Sequence, residues 1–81
     1  MNEARLSQDL AEAEQCITEG KVYVRSQRAI VAKLTRQAQD TEKARSILKT
    51  LQDTLALHIE HRDQLKRQLA RNERGAREAP R

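Results

Sequence analysis

The sequence predicts an all-α protein built as an antiparallel hairpin of two helices. Three observations predict it: apolar residues recur at alternating intervals of three and four, the phase of this repeat slips once near mid-chain, and turn-forming residues are scarce. The 81 residues include two Gly, one Pro and one aromatic side chain. This composition excludes a many-stranded sheet and a large globular core, whereas long amphipathic helices need only a narrow apolar stripe.

The first helix is predicted from about residue 3 to about residue 37. Asn2 is a suitable N-cap, and Glu3 lies where the positive end of the helix dipole favours an acidic side chain. Eight of ten positions along its stripe are apolar in a chain that is 37% hydrophobic, so the spacing is a helical signal. We call this stripe the first seam: Leu6, Leu10, Ala13, Ile17, Gly20, Val24, Gln27, Val31, Leu34 and Ala38.

Two residues interrupt the first seam. Gly20 costs about 1 kcal/mol relative to Ala inside a helix, and we expect it to pack closely against a large side chain of the second helix. Gln27 is a polar residue at a seam position. It either fixes the register through a hydrogen bond or lies at the edge of the seam and reaches water.

The turn is predicted at about residues 38–40, because the first seam cannot be continued beyond Ala38 without placing charged residues in the core. Asp40 or Thr41 can cap the next helix. A stutter in one continuous helix would explain the slipped phase equally well. The second seam then has six apolar residues of eight: Ala44, Leu48, Leu51, Leu55, His58, Arg62, Leu65 and Leu69.

The second helix is predicted from about residue 41 to about residue 74, with Gly75 as its C-terminal stop and 76–81 as a flexible tail. Residues 1–75 then form one hairpin. Folding at Gln39–Asp40 brings an acidic start, with five acidic and one basic side chain in 1–20, against a basic end. The expected facing residues are Val31 with Leu48, Val24 with Leu55, Leu10 with Leu69, Ala13 with Leu65, and Gly20 with His58 and Ile59.

The apolar stripe is wider than one partner helix can cover. Cys16, Tyr23 and Ile30 recur every seven residues beside the first seam, and a lone hairpin would leave them partly exposed. We therefore expect a homodimer in which two hairpins form a four-helix bundle. The predicted interface residues are Cys16, Tyr23, Gln27, Ile30, Ile47, His58 and Ile59.

No catalytic or cofactor-binding pattern is found. The serines have no Gly-rich elbow or oxyanion loop near them, and no phosphate-binding loop is present. Cys16, His58 and His61 could approach one another in the hairpin, but a single Cys without a paired motif favours packed or surface histidines over a zinc site. We expect no enzyme activity, no cofactor and no metal.

The favoured function is a small non-enzymatic protein–protein interaction or regulatory protein. One alternative is a nucleic-acid-binding hairpin that uses basic helix faces, although acids are interleaved with these residues and only one aromatic side chain could stack on a base. Another is a purely structural coiled-coil rod. The candidate nucleic-acid contacts are Lys21, Arg25, Arg28, Arg67, Arg71 and Arg74.

The sequence also bears on location. A single Cys fits a reducing compartment, the N-terminus has no apolar segment of signal-peptide length, and no run approaches the roughly 20 apolar residues that span a bilayer. We expect a soluble cytoplasmic protein without a membrane partner.

Several segments resemble a group of short uncharacterised proteins of rhizobial and related alphaproteobacteria. They are YVRSQRAIVAKL at 23–34, DT at 40–41, ARSIL at 44–48 and LALHIEHRDQL at 55–65, and the resemblance covers about residues 10–69. Those proteins commonly read Gly-His-Asp-Thr in the middle, where this chain has Ala38-Gln39-Asp40-Thr41. The resemblance implies a small helical bacterial protein and carries no established activity or functional residues.

Overall fold

The protein is a hairpin of two long helices. The computed structural model describes the backbone of residues 3–78 and the side chains of residues 3–75, with α1 at Glu3–Arg36 and α2 at Glu42–Glu78. The Cα trace of the hairpin is about 70 Å long and 14 Å across, and the described residues contain no strand. The predicted all-α hairpin is confirmed. The alternative of one continuous helix is wrong, because the chain leaves the helix after Arg36 and reverses.

The end of α1 is set by backbone hydrogen bonds around Ala38. The N–H of Ala38 donates to the carbonyl of Thr35 at 3.1 Å, and the N–H of Gln39 donates to the carbonyl of Leu34 at 2.9 Å. This pair of bonds is a Schellman motif, which requires a left-handed residue just after the helix. Ala38 takes that role with φ of 54°, although a glycine would adopt the conformation with less strain.

The start of α2 combines both predicted caps. The Asp40 Oδ1 accepts a hydrogen bond from the N–H of Glu42 at 2.9 Å, which satisfies one of the free donors of the first turn. The Thr41 carbonyl accepts the first helical bond, from the N–H of Arg45 at 2.8 Å. The Thr41 hydroxyl accepts from the Arg45 Nε instead of from the backbone.

Both predicted seams lie between the helices. Their positions are buried or half-buried except Ala38, which belongs to the turn. At the open end of the hairpin, opposite the turn, Leu10 and Leu69 pack against a cluster of buried Leu6, Ala13 and Leu65. The buried apolar residues of the described part are Leu6, Ala13, Ile17, Val24, Val31, Ala44 and Leu65, and Leu6 is the most deeply buried.

A large side chain of α2 packs against Gly20, as predicted, but it is not one of the two residues that the sequence suggested. A Cβ built at Gly20 would lie 3.1 Å from the Cδ1 of Leu55, so the large side chain that approaches the glycine is Leu55 and not His58 or Ile59. The two helices are therefore shifted by about one turn relative to the predicted facing pairs, which matched Leu55 to Val24. Leu55 accordingly lines a groove with Gly20 on one side and a groove with Val24 on the other.

The predicted end of α2 also differs from the structure. The helix continues through Gly75 to Glu78. Gly75 does not adopt a positive φ, and a Cβ there would meet nothing within 4 Å, so it is an ordinary exposed helical position. A glycine ends a helix only when the chain takes the left-handed conformation, and nothing at Gly75 forces it to do so. Of the predicted tail, residues 79–81 lie outside the described part.

The ion pairs of the described residues all lie within single helices. They join Arg5 to Asp9 at 3.5 Å, Lys49 to Asp53 at 3.0 Å, and Arg62 to Asp63 at 3.0 Å. In the described part of the chain, none of them crosses from α1 to α2. The acidic start and the basic end therefore face each other without direct interhelical ion pairs.

Candidate interaction faces of the hairpin

Two helices packed side by side present a broad face on each side of their seam. On one side, Cys16, Glu19 and Tyr23 of α1 line an open groove together with Leu51, Thr54 and His58 of α2. Ile30 follows Tyr23 by seven residues and Ile47 precedes Thr54 by seven, so both continue the same side. We call this surface the apolar face: Cys16, Tyr23, Ile30, Ile47, Leu51, Thr54 and His58.

The apolar face carries large side chains that the hairpin does not cover. Tyr23 is 57% exposed, Ile30 is 47% exposed and Ile47 is 44% exposed, and the thiol of Cys16 is free and exposed. Single exposed apolar residues are common on soluble proteins, but a row of them along one groove is typical of an interaction site. Five of the seven predicted interface residues lie on this face.

The other two predicted interface residues, Gln27 and Ile59, lie elsewhere. The Gln27 Nε2 donates a hydrogen bond to the carbonyl of Ala44 at 3.0 Å, so this half-buried amide joins α1 to α2 within one chain. Of the two alternatives for Gln27, the register-fixing bond is the one the structure contains. Ile59 is half-buried and follows Thr54 by five residues, which places it about 140° around the helix from the apolar face.

Sequence reasoning did not single out Glu19, Leu51 or Thr54 as part of this groove. Glu19 lies three residues after Cys16 and four before Tyr23, the spacing of neighbours on a helix surface. The same spacing links Leu51 and Thr54 to the predicted residues Ile47 and His58. Helical periodicity was therefore the signal that could have found all three.

The Cys and His residues do not assemble into one site. Cys16 and His58 line the same groove, while His61 is exposed and is not among the lining residues. Within residues 3–75, no three His, Cys, Asp or Glu side chains are placed to hold a metal ion.

The opposite side of the seam is cationic. Lys21, Arg25 and Arg28 line a second groove with Val24 and Leu55. Arg45 extends this side from α2, because it precedes Ile47 of the apolar face by two residues and so lies about 200° around the helix. We call this surface the basic face: Lys21, Arg25, Arg28 and Arg45.

The cations of the basic face are not neutralised by the hairpin itself. Across the described side chains, Lys21, Arg25 and Arg28 form no ion pair with a carboxylate. Arg67, Arg71 and Arg74 are exposed but belong to a separate region. Arg71 is sixteen residues beyond Leu55 and therefore about 24 Å farther along the rod. The structure does not bring the two predicted basic sets into one site.

Two further findings bear on function. Neither described helix has an apolar stretch of the length that crossing a membrane requires. Comparisons with protein-family models, with curated proteins and with solved structures found no match. The chemistry of the two faces is therefore the remaining indication of function.

Proposed function

We propose that this protein is a small, non-enzymatic protein–protein interaction or regulatory protein that acts through its apolar face. Its partner in the first instance is a second copy, so that two hairpins form a four-helix bundle. The observation that carries the proposal is the row of half-exposed Tyr23, Ile30 and Ile47 beside an open groove. Fully burying a large apolar side chain contributes about 1.5–3 kcal/mol, which gives this face a strong tendency to associate.

The size of the hairpin supports the same conclusion. One seam between two helices is the interior of the part of the chain that the structure describes, and its buried side chains include three small ones at Ala13, Ala44 and Val31. Domains of this length commonly need oligomerisation, a metal or disulfides to reach useful stability. The lone Cys16 cannot form an internal disulfide, so association is the remaining route that this chain's own residues support.

The test compares two neighbouring residues with similar exposure. Tyr23 lies on the apolar face, whereas Val22 is 50% exposed and lies about 100° around the helix, outside the groove lining. We expect Tyr23→Lys to convert the dimer to a monomer, because it would bury an unpaired charge in the bundle. Val22→Lys is expected to remain a dimer. Light scattering across a dilution series gives the mass, and circular dichroism checks that both variants stay helical.

A monomeric wild-type protein at micromolar concentration would contradict the homodimer. Equal loss of the dimer in Val22→Lys and Tyr23→Lys would contradict the choice of face.

A second candidate function is nucleic-acid binding on the basic face. The observation that favours it is a groove lined by Lys21, Arg25 and Arg28, to which no carboxylate of the described side chains is paired. Such cations are free to replace the counterions of phosphates, which makes binding steeply salt-dependent.

A gel shift with a short RNA duplex and a short DNA duplex tests this candidate. The double variant Arg25→Gln, Arg28→Gln is expected to weaken binding and to lower the slope of log affinity against log salt by about 1–2. The matched control is Arg67→Gln, Arg71→Gln, which removes the same charge about 24 Å away. Binding that is absent in the wild type, or lost equally in both double variants, would rule out the basic face as the site.

A further inference from the structure

The charges that border the apolar face are unevenly distributed along the rod. Toward the open end, Glu12 lies one turn before Cys16, and Glu19 lines the groove itself. Toward the turn, Lys33 lies three residues after Ile30, and Lys43 lies four residues before Ile47. The apolar centre around Tyr23 therefore has acids on one side and lysines on the other.

We infer that the second copy lies antiparallel on the apolar face, with a two-fold axis at Tyr23 and the two turns at opposite ends of the bundle. The inference rests on the proposed function and adds the orientation of the partner. This symmetry stacks α1 on α1 and α2 on α2, so residues equally far before and after Tyr23 meet. Cys16 then packs on Ile30 of the second copy, and Glu12 lies beside Lys33 of the second copy, twice in each dimer.

The residues of α2 fit the same axis. Because Leu55 packs at Gly20, Tyr23 is level with about residue 52 of α2. Ile47 and Leu57 lie five residues to either side of that point, so they meet across the axis. Leu57 lies three residues after Thr54 and is 66% exposed in the single hairpin. In the dimer, the contact with Ile47 of the second copy covers it.

The parallel arrangement, with both turns at one end, fits the same residues poorly. It stacks α1 of one copy on α2 of the other, which places Lys33 beside Lys43 near the turns. Glu12 and Glu19 then face the part of α2 that holds Leu57, His61 and Arg62, and the Arg62 guanidinium already pairs with Asp63 at 3.0 Å. Like charges in contact disfavour that arrangement, and opposite charges favour the antiparallel one.

The overlap is large enough for a stable dimer. With the axis at Tyr23, residues 10–36 of α1 overlap their counterparts, a length of roughly 40 Å at about 1.5 Å per residue. Two adjacent helices are roughly 20 Å wide, so each copy covers about 800 Å², the size of a standard specific interface.

Charge reversal at Lys33 tests the orientation through the sign of its effect. In the antiparallel dimer, Lys33→Glu faces Glu12 of the second copy and is expected to raise the dimer Kd about tenfold at low salt. Adding Glu12→Lys to the same chain is expected to restore the affinity. The matched control, Lys66→Glu, changes an exposed lysine outside the apolar face and is expected to change the Kd less than about twofold. In the parallel dimer, Lys33→Glu would face Lys43 and tighten the dimer instead.

Spin-label distances provide an independent test at positions outside the interface. Single cysteines replace Gln15, Val22 or Ala29, which are exposed and seven residues apart on α1, in a Cys16→Ser background. The antiparallel dimer predicts the shortest distance between copies at position 22, with positions 15 and 29 longer by at least about 5 Å from the helical rise alone.

The outcomes separate the two proposals. Equal distances at all three positions, or a Lys33→Glu dimer that is tighter than the wild type, would overturn the antiparallel orientation and leave the interaction function standing. A wild-type protein that stays monomeric would overturn the homodimer and the orientation together.

Discussion

The apolar face and the basic face lie on opposite sides of one seam and differ in almost every side chain. Lys21, Arg28 and Arg45 each precede a residue of the apolar face by two positions: Tyr23, Ile30 and Ile47 respectively. Two residues correspond to about 200° of helix, so each pair straddles the seam. The seam residues bring the helices together, and the residues beside them decide which side of the hairpin can associate.

The difference has an energetic reason. Two apolar faces gain free energy when they exclude water from each other. Two basic faces brought together would place guanidinium and ammonium groups side by side without carboxylates, which is unfavourable. In the proposed dimer, the apolar face is therefore the side that meets the second copy, and the basic face stays open to solvent.

The largest expected effect comes from charging the seam on which both faces depend. Val24 is 6% exposed and Val22 is 50% exposed, and they are two residues apart on α1. Val24→Asp is expected to lower the free energy of unfolding by about 3 kcal/mol or more, because it buries an unpaired carboxylate. Val22→Asp is expected to cost less than about 1 kcal/mol. Urea unfolding followed by circular dichroism at one protein concentration measures both, and similar losses would mean that the seam is misplaced.

A smaller effect separates the two faces directly. Ile30→Gln on the apolar face is expected to raise the dimer Kd roughly 30-fold, or about 2 kcal/mol, because two copies each lose apolar burial. Arg28→Gln introduces the same side chain on the basic face and is expected to change the Kd less than about twofold. Sedimentation equilibrium provides the comparison. If Arg28→Gln raised the dimer Kd more than Ile30→Gln did, the basic face and not the apolar face would be the association surface.

The hydrogen bond that fixes how the faces align has a more modest effect. Gln27→Ala removes the bond to the Ala44 carbonyl and is expected to cost about 1 kcal/mol of unfolding free energy. Gln15→Ala is the control, since the Gln15 amide bonds Glu19 on the exposed surface of the same helix. Thermal unfolding of the two variants should show the larger loss of stability for Gln27→Ala. Equal losses would mean that the Gln27–Ala44 hydrogen bond contributes no more to stability than the exposed Gln15–Glu19 bond.

The smallest effect concerns the turn that sets both faces in register. Ala38→Gly is expected to stabilise the hairpin by about 0.5–1 kcal/mol, because Ala38 holds a left-handed conformation that glycine adopts without strain. Ala32→Gly, at an exposed position inside α1, is expected to destabilise by a similar amount. The measurement is the shift in thermal midpoint. A loss of stability in Ala38→Gly would show that the strain is absent.

Periodicity was enough to predict the seams and the hairpin. A seven-residue repeat specifies which residues face the partner helix, and both predicted seams occupy the interface between α1 and α2. The Asp40 cap was also predictable, because its side chain acts on a backbone donor two residues away. Such local rules depend on few neighbours, and so they transfer well from sequence to structure.

The errors arose where backbone conformation or side-chain interdigitation decides the outcome. Gly75 looked like a helix stop, but among the described residues the left-handed one is Ala38, which no composition rule favours. Leu55 packs at Gly20 and not at Val24, so the helices are about one turn out of the register that counting from Gln39–Asp40 gave. For the candidate site, five of the predicted interface residues share one side of the hairpin because helical periodicity places them there, and the same periodicity places Ile59 on another side.

The placement of the ion pairs within single helices has a practical consequence for experiments in salt. Since no described ion pair joins α1 to α2, screening by added electrolyte removes little of what holds the hairpin closed. The contacts inferred between copies, Glu12 with Lys33, lie at an exposed border. High salt shortens the Debye length to a few ångströms and screens the attraction between these two side chains. In the proposed dimer, added salt therefore weakens the border contacts between copies more than it weakens the seam within each hairpin.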